Sequence, residues 1–191
     1  MSGERGLDHP LRPAAEADLA RLIPHIERLS GLWSHWRGVV LVRDVAYPFS
    51  GQKHGWCGIS LREDVLLDAT LRWRTMIHEG LHSVSGAFSP GRPDPMSRRW
   101  EEAIVEQMQR LLRQRVLRAA GVEMDDEVFL SADNEHGYNL FIRALEAHRR
   151  RQGAEIEAFY LGLLRADAAG RAGMLVAATR ALRVQRWQEL L

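Results

Sequence analysis

Thr75 to Ser85 reads TMIHEGLHSVS and contains His-Glu-x-x-His. His78 and His82 are four residues apart, so on a helix they stand one turn apart on one face. Two imidazoles so placed reach a single zinc ion at about 2.0–2.1 Å each. Glu79 then lies beside the ion, placed to take a proton from a water that the metal acidifies. With 8 histidines in 191 residues, chance placement yields this pattern in roughly one such chain in forty. The alternative is a helix with two partly buried histidines bonded to core groups.

A catalytic zinc takes three protein ligands and keeps one position open. The metzincin arrangement, with a third histidine six residues on, is absent, because that position is Phe88. The next acidic cluster is WEEAIVEQM, Trp100 to Met108. Its apolar positions Ile104, Val105, Met108 and Leu111 centre nearer Glu101 than Glu102, so burial alone favours Glu101 as a ligand. Glu102 and Glu106 are i,i+4 neighbours, and a ligating histidine usually donates its other N–H to such a carboxylate. As a solvated face, the three glutamates would instead pair with Arg98, Arg110 and Arg113.

HEGLH followed, after Ser83 to Glu101, by Glu102 in EEAIVE resembles the gluzincin class of zinc metallopeptidases, the thermolysin-like clan. The match is confined to about residues 73–108 and is closer to the small bacterial and phage minimal gluzincins than to the large secreted thermolysins. The resemblance implies zinc held by His78, His82 and Glu102, with Glu106 as the carboxylate supporting a metal-ligating histidine. It also implies a Tyr or His beyond the ligand helix that stabilises the oxyanion. DNEHGYN offers Tyr138 first and His136 second; the alternative is that Asn134 or Gly137 marks a helix start and Tyr138 packs on the core. His148 reads as a surface residue.

These residues need elements to hold them. The periodicity of 69–84, with Trp73, Ile77, Gly80, Leu81 and Val84 on one side, predicts the helix carrying HEGLH. A second helix is expected over 97–119 with Ser97 as N-cap. Upstream, 14–30 is helical in pattern, with a kink or break at Pro24. GVVLVRD (38–44) reads as a buried strand, 45–55 as a loop, and WCGISL (56–61) as a short strand that includes Cys57 as a structural residue. A strand ahead of the helix could form the substrate-side edge. The Pro/Gly-rich 86–96 is a loop that could border the cleft, 121–137 is mixed, and helices are expected near 138–151, 154–168 and 171–190. The fold class expected is α+β and, from the resemblance, zincin-like: a small β-sheet, an active-site helix, a ligand helix and a mostly helical C-terminal half. The division is a flexible tail (1–13), a metal-binding core (14–120) and a helical subdomain packed on it (121–191).

Composition bounds the partners. A net charge of +1 gives no global field for nucleic acid or an anionic membrane, and the basic run HRRRQ (148–152) reads as a solvated helix end. Lys53 is the only lysine and Cys57 the only cysteine, which excludes an intrachain disulfide. Trp33, Trp36, Trp56, Trp73, Trp100 and Trp187 are expected in the core or along the cleft. Without a signal-like N-terminus or a long apolar run, the protein is expected to be cytoplasmic. The expected activity is hydrolysis of a peptide or protein substrate. The alternatives are a regulatory protease of a single partner, of the ImmA/IrrE type, and a non-catalytic zinc-stabilised binding module.

Overall fold

The computed structural model describes residues 7–86, 95–167, 169–176 and 180, with the backbone alone described at 95–97. The order of elements is α1 (Arg12–Ser30), β1 (Val40–Arg43), β2 (Gly51–Lys53), β3 (Ile59–Arg62), α2 (Glu63–Leu67), α3 (Ala69–Val84), α4 (Pro95–Ala119), a 3₁₀ turn (Asp126–Phe129), α5 (Leu130–Asn134), α6 (Asn139–Arg151) and α7 (Ile156–Arg165). Residues 169–176 are helical as well. The fold is thus mixed α and β, dominated by helices, with one three-stranded sheet among the described residues. No helix among the described residues is long and apolar enough to cross a membrane.

The helix α1 runs unbroken through Pro24, so of the kink or break expected there the break does not occur. Proline removes one i→i−4 bond, but Leu19, Leu22, Ile23 and Ile26 are buried on both sides of it. That continuous apolar face holds the two halves of the helix together. Gly31 closes α1 in the left-handed conformation, φ +67°, as C′ glycines do. Of the expected tail, residues 1–6 lie outside the described residues.

The sheet has the order β1-β3-β2, with β1 parallel and β2 antiparallel to β3. Ile59 faces Val40 on one side and Lys53 on the other. β2 was expected to be loop. Gly-Gln-Lys has little strand propensity, and the strand exists because β3 supplies the ladder. Trp56 and Cys57 form the turn into β3 rather than its first residues, with Cys57 at φ +72°.

The helix α3 has the bounds expected of it, capped by Asp68, whose side chain accepts from the Leu71 N–H at 2.8 Å. Gly80 lets α1 lie close, because a Cβ there would meet Ile26 Cδ1 at 2.6 Å. Proline at the opening, not Ser97, starts α4; proline is favoured at a first helical position, where no N–H is needed. Residues 87–94 of the expected loop, and 177–179 and 181–191 of the last expected helix, lie outside the described residues. One hydrophobic core runs from Ala15 to Leu164, so the C-terminal helices share it with the segment 14–120.

Some side chains depart from expectation. Trp100 is buried and meets Phe141 edge-on at 4.9 Å, but Trp33 is 83% and Trp56 52% exposed. Trp187 lies outside the described residues. His148 is half-buried, with its ring 6.2 Å from that of Phe159.

Candidate metal centre

The helices α3 and α4 pack against each other and bring His78, His82 and Glu102 together. Nε2 of His78 lies 3.1 Å from Nε2 of His82. Oε2 of Glu102 lies 3.2 Å from the first and 3.3 Å from the second. Ligand atoms about 2.0–2.1 Å from a tetrahedral zinc stand about 3.3 Å from one another. This triangle therefore fits such an ion, and it is the group among the described residues whose atoms could hold one.

Each histidine has a different carboxylate behind it. Nδ1 of His78 is 3.3 Å from Glu106 Oε2, and Nδ1 of His82 is 3.5 Å from Glu101 Oε1. Glu106, fully buried, is held by Arg74 and by Arg110 at 2.9 Å. Arg74 and Arg110 also bind Asp133, and Arg113 binds Asp133 at 2.9 Å. The glutamates do not form a solvated face. Glu101 points into the protein and Glu102 toward the histidine pair, so the apolar centre of α4 near Glu101 marks the buried position and not the one closest to both Nε2 atoms.

Glu79 projects from α3 toward β2. Its carboxylate accepts from the Lys53 backbone N–H, and a Cβ at Gly51 would lie 2.8 Å from Glu79 Oε1 and 2.7 Å from Thr75 Cγ2. Oε2 of Glu79 is buried with no hydrogen-bond partner among the described residues. A buried carboxylate oxygen needs a partner, and a water or ligand at the neighbouring histidines would supply one. Burial raises the Glu79 carboxyl above its ordinary range, against the pull of His82 and His78. Gly51→Ala is expected to push β2 off α3 and to cost about 1–3 kcal/mol, read as a fall in the denaturation midpoint; an unchanged midpoint would show that β2 is free to shift.

The two candidates for the oxyanion are neighbours, with ring centroids 5.3 Å apart. His136 stands behind His78, its Nε2 3.7 Å from Glu106 Oε2, and burial pushes it down to about 4. Tyr138 precedes α6 and is half-buried in contact with the core. Burial, then the charge of Glu102, raises its phenol; Arg98, Arg99 and Glu79 are the other charges acting on it. Of the two, His136 is the one paired with Glu106.

Comparison with known proteins gives no match. No family model, no curated protein and no solved structure matches the chain. Function therefore has to be read from the site itself.

Burial lowers the His78 imidazole, but hydrogen bonds to Glu102 and Glu106 outweigh it and bring His78 up to about 9; His82 is raised for similar reasons, by Glu102 and Glu101. Burial raises Glu101, but His82 and Arg171 bring it down to about 2. A histidine raised in the folded state stabilises fully below its unfolded value, about 6.5, and that stability is lost as pH rises toward about 9. The raised Glu79 acts in the same direction from a lower pH, whereas the stability from Glu101 is lost as pH falls from the usual glutamate range toward about 2. Metal-free protein is therefore expected to melt highest on the acid side of neutrality and to lose stability toward pH 9. Bound metal should reverse the alkaline limb, because a ligating imidazole must shed its proton. Thermal melts against pH, with chelator and with zinc, check both limbs.

Proposed function

We propose that the chain is a zinc-dependent peptidase of gluzincin type. The observation that carries this reading is the triangle of His78 Nε2, His82 Nε2 and Glu102 Oε2, with edges of 3.1, 3.2 and 3.3 Å, beside a Glu79 oxygen that has no partner among the described residues. On this reading α3 is the active-site helix and α4 the ligand helix of a zincin-like fold. His78, His82 and Glu102 would hold the ion, and Glu106 would fix His78.

Bound there, zinc supplies a Lewis acid that polarises a carbonyl and acidifies a water. Glu79 takes the proton of the attacking water and passes it to the leaving amine; burial, by raising its carboxyl, brings it closer to the working pH of a general base. The Tyr138 phenol donates to the carbonyl oxygen as charge develops there. β2 lies along Glu79, and its far edge pairs with no other strand among the described residues. An extended peptide added to that edge by backbone hydrogen bonds would run past Glu79. A non-catalytic zinc-stabilised module would leave Glu79, desolvated and half-partnered, without a task.

Elemental analysis is expected to give about one zinc per chain, and an unfolded protein substrate should be cut by the zinc-loaded form but not after chelation. Failure to bind zinc at micromolar concentration would remove the reading.

A further inference from the structure

Behind His82 the protein is organised by a residue far along the chain. Arg171, in the helical segment 169–176, is 3% exposed. Its Nη1 binds Glu101 Oε2. Its Nη2 donates to Ser85 Oγ at 2.9 Å and to the Leu164 carbonyl at 3.2 Å, and its Nε to the Leu163 carbonyl at 2.5 Å. The two carbonyls belong to the last turn of α7, where intrahelical donors run out. Ser85 closes α3 directly after the turn that carries His82. The Gly86 N–H adds a bond to the Leu164 carbonyl at 2.9 Å, so the ends of α3 and α7 are stitched together at this guanidinium.

We propose that Arg171 is a positioning residue for the metal centre, acting through Glu101 on His82; the inference rests on the metal-site reading above. The Glu101 carboxylate has one oxygen facing the Arg171 fork and the other 3.5 Å from His82 Nδ1. A guanidinium stays charged and offers donors in a rigid plane. Held itself by Ser85 and the two α7 carbonyls, it pins one carboxylate oxygen in place and keeps the group ionised. A carboxylate so held, 3.5 Å from Nδ1 of His82, favours the proton on that nitrogen, which leaves the Nε2 lone pair for an ion between His78 and Glu102. Glu106, gripped by Arg74 and Arg110, does the same for His78 from the opposite side. Each imidazole is thus oriented by its own arginine-held glutamate, and the His82 half depends on a residue 70 positions after that glutamate.

The test compares Arg171→Met, Glu101→Met and the double variant. Zinc affinity is measured by competition with a chromophoric chelator, the visible bands of the cobalt-loaded protein are recorded, and each metal-free variant is melted. Loss of an outer partner of a ligating histidine weakens metal binding by about 10–100-fold. That loss is expected in Arg171→Met, with shifted cobalt bands, and the double variant should bind no more weakly than Glu101→Met alone. A residue that only caps α7 would lower the melting temperature and leave zinc affinity and cobalt bands as in the parent, which would overturn the proposal. So would losses that multiply in the double variant. If a single variant does not fold because it strands a buried charge, the double variant decides, since apolar replacement of a whole buried ion pair is often neutral for stability; wild-type zinc affinity in it overturns the proposal. A parent protein that binds no zinc removes the metal site itself, whereas zinc binding that is indifferent to Arg171 removes this inference alone.

Discussion

Glu79→Gln is expected to retain one zinc per chain and to lose peptide hydrolysis by a factor of about 10²–10⁴ or more, the usual contribution of a general base. Glutamine keeps an amide oxygen for the Lys53 N–H that the carboxylate now accepts, so β2 should stay in place. It also removes a carboxylate that burial disfavours, so stability should hold or rise slightly. The variant therefore separates metal binding from turnover. Zinc assays paired with cleavage assays on the parent and the variant decide the matter. Equal cleavage by both would exclude Glu79 as the base. Zinc lost with activity would mean that the glutamate holds the site together instead of acting in it.

Glu102→Gln is expected to weaken zinc binding by more than the 10–100-fold or so that an outer partner is worth, and Glu101→Gln by no more than that. The two residues are adjacent in sequence but meet the histidines on different atoms. Glu102 faces both Nε2 atoms at 3.2 and 3.3 Å, where an amide oxygen is a poor substitute for an anionic ligand. Glu101 meets His82 only at Nδ1, on the side of the ring away from those atoms, with its other oxygen on Arg171, so its loss acts on the ion through His82. Chelator competition on the two variants orders them. The reverse order would transfer the third ligand to Glu101.

The parts of this centre that were legible in the sequence are those set by helical periodicity. His78 and His82 one turn apart, and Glu102 and Glu106 one turn apart, each share a face whatever surrounds them, and α3 ends where its pattern ends. The choice between Glu101 and Glu102 was not decided by the helical wheel. Both are largely buried, one behind His82 and one before it, and a wheel has no information about where α3 crosses. Arg74, four residues before His78 on the same face, left a signal that periodicity could have found. Arg171 left none, because a contact across 70 residues has no period. β2 was missed for a related reason: its residues carry no strand preference, and the pairing comes wholly from Ile59–Leu61 opposite. Pro24 shows the converse, a strong local signal overridden by a long buried face.

Lys53, the sole lysine, sits in β2 at 6% exposure, its ammonium donating to the His54 carbonyl at 2.6 Å. Every lysine-directed reagent therefore has one side-chain target in this protein, located in the strand that touches Glu79. The rate at which an amine-reactive probe labels it would report how often that strand lifts away from the helix, without any engineered tag. A bound peptide lying along the strand would slow the labelling, which makes this single amine a native sensor of occupancy at the edge where a substrate would lie.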